Sequence, residues 1–214
     1  MIIKTIQVAG IEPALEAMRN PMDSWEKSDS TFRHDYWRFD VNEPVYHIGK
    51  VDKELSEKLQ NAGPEHCKHL RMIMVWATIS APRYWWTEFD TYRIGVEKES
   101  CSTMHKLMSR PLKLSDFEHD EEYAPALEGI INSINGRMEN YKELKNEGCD
   151  LEAKEVWREI IQLLPQSYLQ RRTVMMSYAA LRNIVRQRAG HKLYEWAWFI
   201  AWAKDLPESW MIFD

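Results

Sequence analysis

Glycine and cysteine are scarce in this 214-residue sequence, and long apolar runs and a basic excess are missing altogether. The eight glycines stand singly, with neither a G-x-G-x-x-G fingerprint nor a G-K-S/T loop, which removes the glycine-rich phosphate cradles. Cys67, Cys101 and Cys149 are odd in number and lack paired spacing, so reduced thiols are expected instead of a disulfide framework. The longest apolar run, Met72 to Ala77, is far shorter than the roughly 20 residues that cross a bilayer, and no membrane association is expected. Met1-Ile2-Ile3-Lys4 lacks the basic start and apolar stretch of a secretion signal, so the chain is read as cytoplasmic. Twenty-eight Lys and Arg against 33 Asp and Glu give a formal charge of −5, which argues against a general nucleic-acid binder. One small phosphorylated ligand held by a few arginines remains compatible with that charge. No internal repeat, low-complexity tract or legible Ser-His-Asp set is present.

What the chain does have is enough apolar material for a core, at 44% hydrophobic residues, and 29% charged residues for solubility. The expectation is a single domain over residues 1–214, with a two-lobed domain as the alternative. Ten tryptophans and nine tyrosines leave two readings open: flat side chains for interfaces and planar ligands, or filler for a large core.

Ile2 to Val8 is apolar and β-branched and reads as a strand ended by Gly10. Ala14 to Met18 reads as a short helix closed near Asn20-Pro21. Residues 22–47 have no period and read as a long irregular segment. Val51, Leu55 and Leu59, four apart in a charged background, predict the apolar side of a surface helix stopped by Gly63-Pro64. Leu70 to Ser80 is the clearest strand, with incomplete alternation that implies cover on both faces. Pro82 suits the first turn of a helix carrying Tyr84, Trp85 and Phe89. Leu127, Ile131, Ile134, Met138 and Tyr141 predict a long amphipathic helix ending at Gly148, and Asp150 opens another that runs to Leu164. Tyr178 to Arg188 and His191 to Ala203 predict two more, interrupted at Gly190. Mostly helical order with separated strands implies an α+β fold, a small antiparallel sheet surrounded by helices.

Two segments together resemble the flavin-dependent thymidylate synthase family. In that family an Ala-Pro pair leads into a helix with an Arg-His-Arg triplet, then seven residues, then a serine. Here Ala81-Pro82 is present, Thr91-Tyr92-Arg93 stands at the triplet, and seven residues separate Arg93 from Cys101. The second segment, Leu163 to Trp196, is similar to the family's Leu-Pro turn and its helix with Leu-x-Asn and an arginine five residues on. Leu181, Asn183 and Arg188 match those places, and His191 with Glu195 resembles the family's following His-x-x-x-Glu. Upstream, Gly63 to His69 occupies the place of the Thr-Pro-Phe-Glu-His run, with His69 in register. The departures are equally specific. Only Arg93 of the triplet is kept, Cys101 replaces the serine, and Thr103-Met104 stands for an Arg-Tyr pair. Ser177 and Ala179 replace an asparagine and an arginine that approach the flavin.

The resemblance implies a homotetramer that binds FAD, is reduced by NADPH, and transfers a one-carbon unit from methylenetetrahydrofolate to a pyrimidine nucleotide such as dUMP. It implies Arg188 as pyrimidine anchor and catalytic residue, with Glu88, Glu99 and Cys101 also at the substrate. Arg93, Asn183 and His69 fall to the cofactor. An arginine fork suits a phosphate or a uracil carbonyl, and an asparagine offers a donor and an acceptor to a flat heterocycle. A Cys101 thiolate activated by Arg93 or His105 could attack the uracil ring. The plainer readings are a solvated Arg188, a structural Asn183, a Glu99 in a charged surface run, and a Cys101 that is a small filler. His66, Cys67 and His69 lack the spacing and fourth ligand of a zinc site, so no metal is expected. A rival function is a catalytically inactive nucleotide-binding or regulatory module on the same fold.

Overall fold

The computed structural model describes residues 1–33 and 44–213. In chain order these form β1 (Ile2–Ala9), α1 (Ile11–Ala17), β2 (Thr31–Arg33), β3 (Val45–His47), α2 (Lys50–Ala62), β4 (Met74–Pro82) and α3 (Arg83–Phe89). Then follow β5 (Val96–Ser100), α4 (Thr103–Lys106), α5 (Ala124–Asn146), α6 (Asp150–Leu163), β6 (Leu169–Ser177), α7 (Tyr178–Arg188) and α8 (Tyr194–Lys204). One sheet has the order β1-β4-β6-β5, and β2 pairs with β3 in a separate antiparallel ribbon. Tyr178 N–H donates to Ile73 at one end and Arg83 N–H to Tyr168 at the other, so β4 and β6 run antiparallel. The Ser177–Gly95 and Cys101–Arg171 bonds give the same sense for β5 and β6. The expected α+β class, helices around small antiparallel sheets, is the observed one.

Four strands depart from the sequence reading. β2 and β3 lie within the segment read as irregular, of which residues 34–43 lie outside the described residues. β5 (VEKES) is an edge strand, where charged side chains are tolerated because one side meets solvent. β6, read as part of a turn and helix, hides its character behind a polar first half, Gln170-Arg171-Arg172.

Residue contacts divide the chain into two compact units. The first, here the hairpin unit, comprises Met1–Lys4, Thr78–Thr91 and Lys98–Val174. Its core is the apolar stripe of α5 (Ile131, Ile134, Met138) packed with Ile160 of α6, Leu107, Leu112, Phe117 and Leu164. Gly148, at φ 77°, closes α5: Cys149 N–H donates to Leu144 O and Gly148 N–H to Lys145 O, the paired bonds of a Schellman turn. Asn135 fixes the loop before α5 by bonding both the N–H (2.8 Å) and the carbonyl (2.9 Å) of Leu112. On α3, Trp85, Trp86 and Phe89 are fully buried and pack ring on ring.

The second, the mixed unit, comprises Thr5–Ala77, Tyr92–Glu97 and Met175–Asp214. Leu15, Leu70, Ile73, Tyr178, Leu181, Ile184, Trp196 and Phe199 are fully buried in it. Here α2 departs from its expected apolar side: the fully buried positions are Asp52, Ser56 and Gln60, with Leu55 and Leu59 half-buried beside them and Val51 exposed. A polar face can be buried because every member is satisfied. Asp52 accepts from Arg19 Nε (2.6 Å), Ser28 Oγ (2.6 Å) and Ser30 Oγ (2.5 Å). Ser56 Oγ lies 2.9 Å from His69 Nε2, and Gln60 Oε1 accepts from Arg182. Burial alone would raise the Asp52 carboxyl, but the bonds from Ser28, Ser30 and Arg19 outweigh it and hold the group below its ordinary value. Asp29 caps the helix from a distance, accepting from Val51 N (3.0 Å) and Asp52 N (3.1 Å). A Cβ at Gly49 would overlap that carboxylate, so glycine is required where Asp29 comes in.

Candidate functional site

A polar cavity of about 430 Å³ opens in the hairpin unit, a volume within the range of small-ligand sites. Its walls come from three stretches of chain. The start of α3 supplies Arg83 and Thr87, and Asp90 follows its end; the end of β5 and the turn after it supply Ser100, Ser102, Thr103 and Met104. Gln166 precedes β6, and Gln170 and Arg172 lie two apart on that strand, hence on one face.

Arg172 is held on several sides. Its Nη1 donates to both Asp90 oxygens (2.8 and 3.1 Å), and its Nε and Nη2 donate to Gln170 Oε1 (3.1 and 2.8 Å). Its guanidinium carbon lies 4.3 Å from the centre of the Trp86 ring. Lys98 reaches Asp90 at 3.0 Å, so one carboxylate serves two cations. Gln170 Nε2 in turn donates to the Cys101 carbonyl (3.1 Å) and to Thr103 Oγ1 (3.3 Å), tying the strand to the turn after β5. Arg83 differs: its guanidinium makes no hydrogen bond or ion pair among the described residues. Two arginines against one aspartate, with four hydroxyls and two amides, give a cavity chemically suited to an anion rich in oxygen.

The mixed unit holds the second constellation. Arg188, half-buried in the last turn of α7, donates from Nε to the Tyr92 hydroxyl at 2.8 Å. Its guanidinium carbon lies 4.5 Å from the centre of the Trp196 ring and 5.4 Å from that of Tyr92. Tyr92 and His191 each meet Trp196 edge to face. Gly190, at φ 72°, ends α7 and lets the chain turn so that Trp196, at the start of α8, reaches Arg188.

The residues singled out in the sequence divide between the units. Arg93, Asn183, His69 and Arg188 belong to the mixed unit, and Glu88, Glu99 and Cys101 to the hairpin unit. Arg93 and Asn183 are exposed, and Asn183 Oδ1 accepts from Gln187 at 3.0 Å. His69 is buried in the interior at 3% exposure, and its burial pulls the ring down to about pH 4, so it is neutral near pH 7. Glu88 is half-buried on α3 and Glu99 is exposed on β5. Cys101 is exposed, and the cavity is lined by its neighbours Ser100 and Ser102, with Cys101 itself not among the lining residues.

Arg83, Gln170, Arg172 and Tyr92 were not singled out as site residues. For the strand pair the signal was the i, i+2 spacing of Gln170 and Arg172, invisible until β6 is recognised. Thr103 was counted as a lost arginine, yet its hydroxyl lines the cavity.

No protein-family model matches this sequence, and no curated protein matches it. Solved structures do. A structure of thymidylate synthase X from Helicobacter pylori with FAD and dUMP superposes with a TM-score of 0.67 at 19% identity, covering 100% of this chain and 98% of the other. A second one, the flavin-dependent thymidylate synthase of the same organism complexed with FAD and dUMP, gives 0.69 at 19% identity, covering 100% and 99%. With the topology and the two segments of sequence resemblance, the conclusion is that this chain has the fold of the flavin-dependent thymidylate synthases.

Proposed function

We propose that this chain acts on a pyrimidine nucleotide, dUMP or a close relative, transferring a one-carbon unit to the ring with FAD, NADPH and methylenetetrahydrofolate. The observation that carries the reading is Arg83, a guanidinium without a protein partner among the described residues, in a cavity of hydroxyls and amides. It stands on a fold that matches, over its whole length, proteins solved with FAD and dUMP. An arginine left without a carboxylate partner is suited to an incoming phosphate.

Arg93 and Asn183 are exposed and fit the anionic and amide-bearing parts of a flavin dinucleotide. His69 does not fit a direct contact, because its ring is buried and its Nε2 faces Ser56. Bound FAD would supply the redox chemistry. The chain's own work is positional: in the hairpin unit Arg83 and Arg172 hold the phosphate and Ser100, Ser102 and Thr103 donate to its oxygens, while Arg188 in the mixed unit carries a fork suited to a heterocycle carbonyl. Glu88 and Glu99 are the proposed acidic contacts to the nucleotide, and the assembly is a homotetramer.

One observation favours a second reading, the nucleotide-binding module without catalysis. Arg188 and Arg172 are already engaged by protein groups, so both are geared to holding shape as well as ligand. The absorption spectrum of the purified protein separates the two. A bound-flavin spectrum bleached by NADPH supports the enzyme; protein that takes up no added FAD ends that reading. Thermal stabilisation by dUMP then supports the module, and its absence ends both.

A further inference from the structure

The hairpin unit carries a second cavity, of about 570 Å³, lined by Met104, Tyr141, Lys145, Asp150, Lys154 and Trp157. Tyr141 and Lys145 are four apart on α5, and Lys154 and Trp157 three apart on α6, so each helix turns one aromatic and one ammonium to the same side. The two aromatic residues are half-buried and the two lysines exposed, which makes an aromatic floor with a cationic rim.

The polar groups here are unevenly satisfied. Lys145 is ion-paired with Asp150. Lys154 has no ion-pair partner among the described residues, and neither the Trp157 indole N–H nor the Tyr141 hydroxyl makes a hydrogen bond among them. A half-buried indole and phenol normally find a partner for their polar ends. Three such groups around one cavity ask for a ligand with a flat ring, an acceptor and a negative charge.

We propose that this cavity binds a small planar aromatic carboxylate. The ring stacks on Trp157 and Tyr141, the Met104 thioether packs at its edge, and the carboxylate pairs with Lys154. Met104 also lines the polar cavity, so an occupant of either site shares a wall with the other. The inference does not rest on the nucleotide reading and is tested without nucleotide.

The probes are indole-3-acetate and its neutral isostere indole-3-acetamide, titrated into the full chain by calorimetry and by the side-chain indole NMR signal of Trp157. The acid is expected to bind at least about tenfold more tightly than the amide and to shift that signal. Lys154→Gln, at an exposed position, is expected to abolish the preference while leaving amide binding unchanged. Trp157→Leu is expected to weaken both. Equal binding of acid and amide, a preference that persists in Lys154→Gln, or a Trp157 signal that does not move would each overturn the proposal.

Discussion

The Arg188 guanidinium is fixed to the Tyr92 hydroxyl by a 2.8 Å hydrogen bond and lies against the Trp196 ring. Tyr92 is the middle residue of the Thr91-Tyr92-Arg93 triplet, the place where the resemblance expects a histidine. Its hydroxyl is thus a partner of the very arginine that the later helix retains. Removing the hydroxyl with Tyr92→Phe leaves the ring and deletes one bond to a charged group. The expected loss is about 1 kcal/mol of stability, because the pair is half-exposed, and a weaker response to dUMP in thermal shift. An unchanged midpoint and unchanged dUMP response would show that the bond is incidental.

Arg83 offers the sharpest test of the polar cavity. Its guanidinium contributes no hydrogen bond or ion pair among the described residues, so Arg83→Gln is expected to leave stability within about 0.5 kcal/mol of the parent. Phosphomonoester affinity is expected to fall by about tenfold or more. Calorimetry with dUMP against uridine reads it: loss confined to the phosphate-bearing ligand supports the assignment, and equal affinity before and after removes Arg83 from it.

Cys101 is exposed, and its two flanking serines, not its thiol, line the cavity. Cys101→Ser is therefore expected to keep nucleotide binding and turnover within about twofold. Loss of turnover with binding intact would establish a thiolate nucleophile instead.

Acid stability should report His69. Its folded value is depressed by burial to about 4, below the ordinary 6.5, so the unfolded chain binds the proton more readily. The contribution is fully present above about pH 6.5 and is lost as pH falls toward 4, by at most about 3 kcal/mol. Urea unfolding at pH 7 and pH 4.5 should show the drop, and His69→Gln should flatten it. A wild-type profile that is flat across that window would contradict the assignment. Asp52 does not interfere, since its carboxyl is held below 3.8 and its loss begins only at lower pH.

Asp52 is 1% exposed and pairs with Arg19, itself 3% exposed. Asp52→Ala leaves a buried guanidinium without its anion and releases Ser28 and Ser30, with an expected cost of about 3–5 kcal/mol. Thermal unfolding that falls by no more than a degree or two would show that the segment before α2 is held by other means.

How much of this was legible depends on what each segment packs against. The stripe Leu127 to Tyr141 predicted α5 well, because its buried positions Ile131, Ile134 and Met138 are apolar and recur at helical spacing. The limits of α7 were read as Tyr178 to Arg188, as observed, since its apolar positions and Gly190 agree. For α2 the same reasoning found the helix, and Leu55 and Leu59 are half-buried as part of its inner face, but it missed the polar residues buried beside them. Val51, Leu55 and Leu59 look like a core stripe, but Arg19, Ser28, Ser30, His69 and Arg182, distant in sequence, supply partners that let the polar positions be the fully buried ones. β5 and β6 escaped for a related reason: a strand's polarity reflects its place in the sheet, which local sequence does not encode.

The sequence alone determined the α+β class, the long helices and the two segments of family resemblance, because these rest on local periodicity and on residues at fixed spacing. It also marked Arg188. Only the tertiary structure decided that Arg188 sits between Tyr92 and Trp196, that Arg172 is clasped by Asp90 and Gln170, and that Arg83 stands in the same cavity without a carboxylate of its own. The charge and hydrogen-bonding state of a side chain is set by what comes within a few ångströms of it, and those neighbours here lie as many as 96 positions away along the chain.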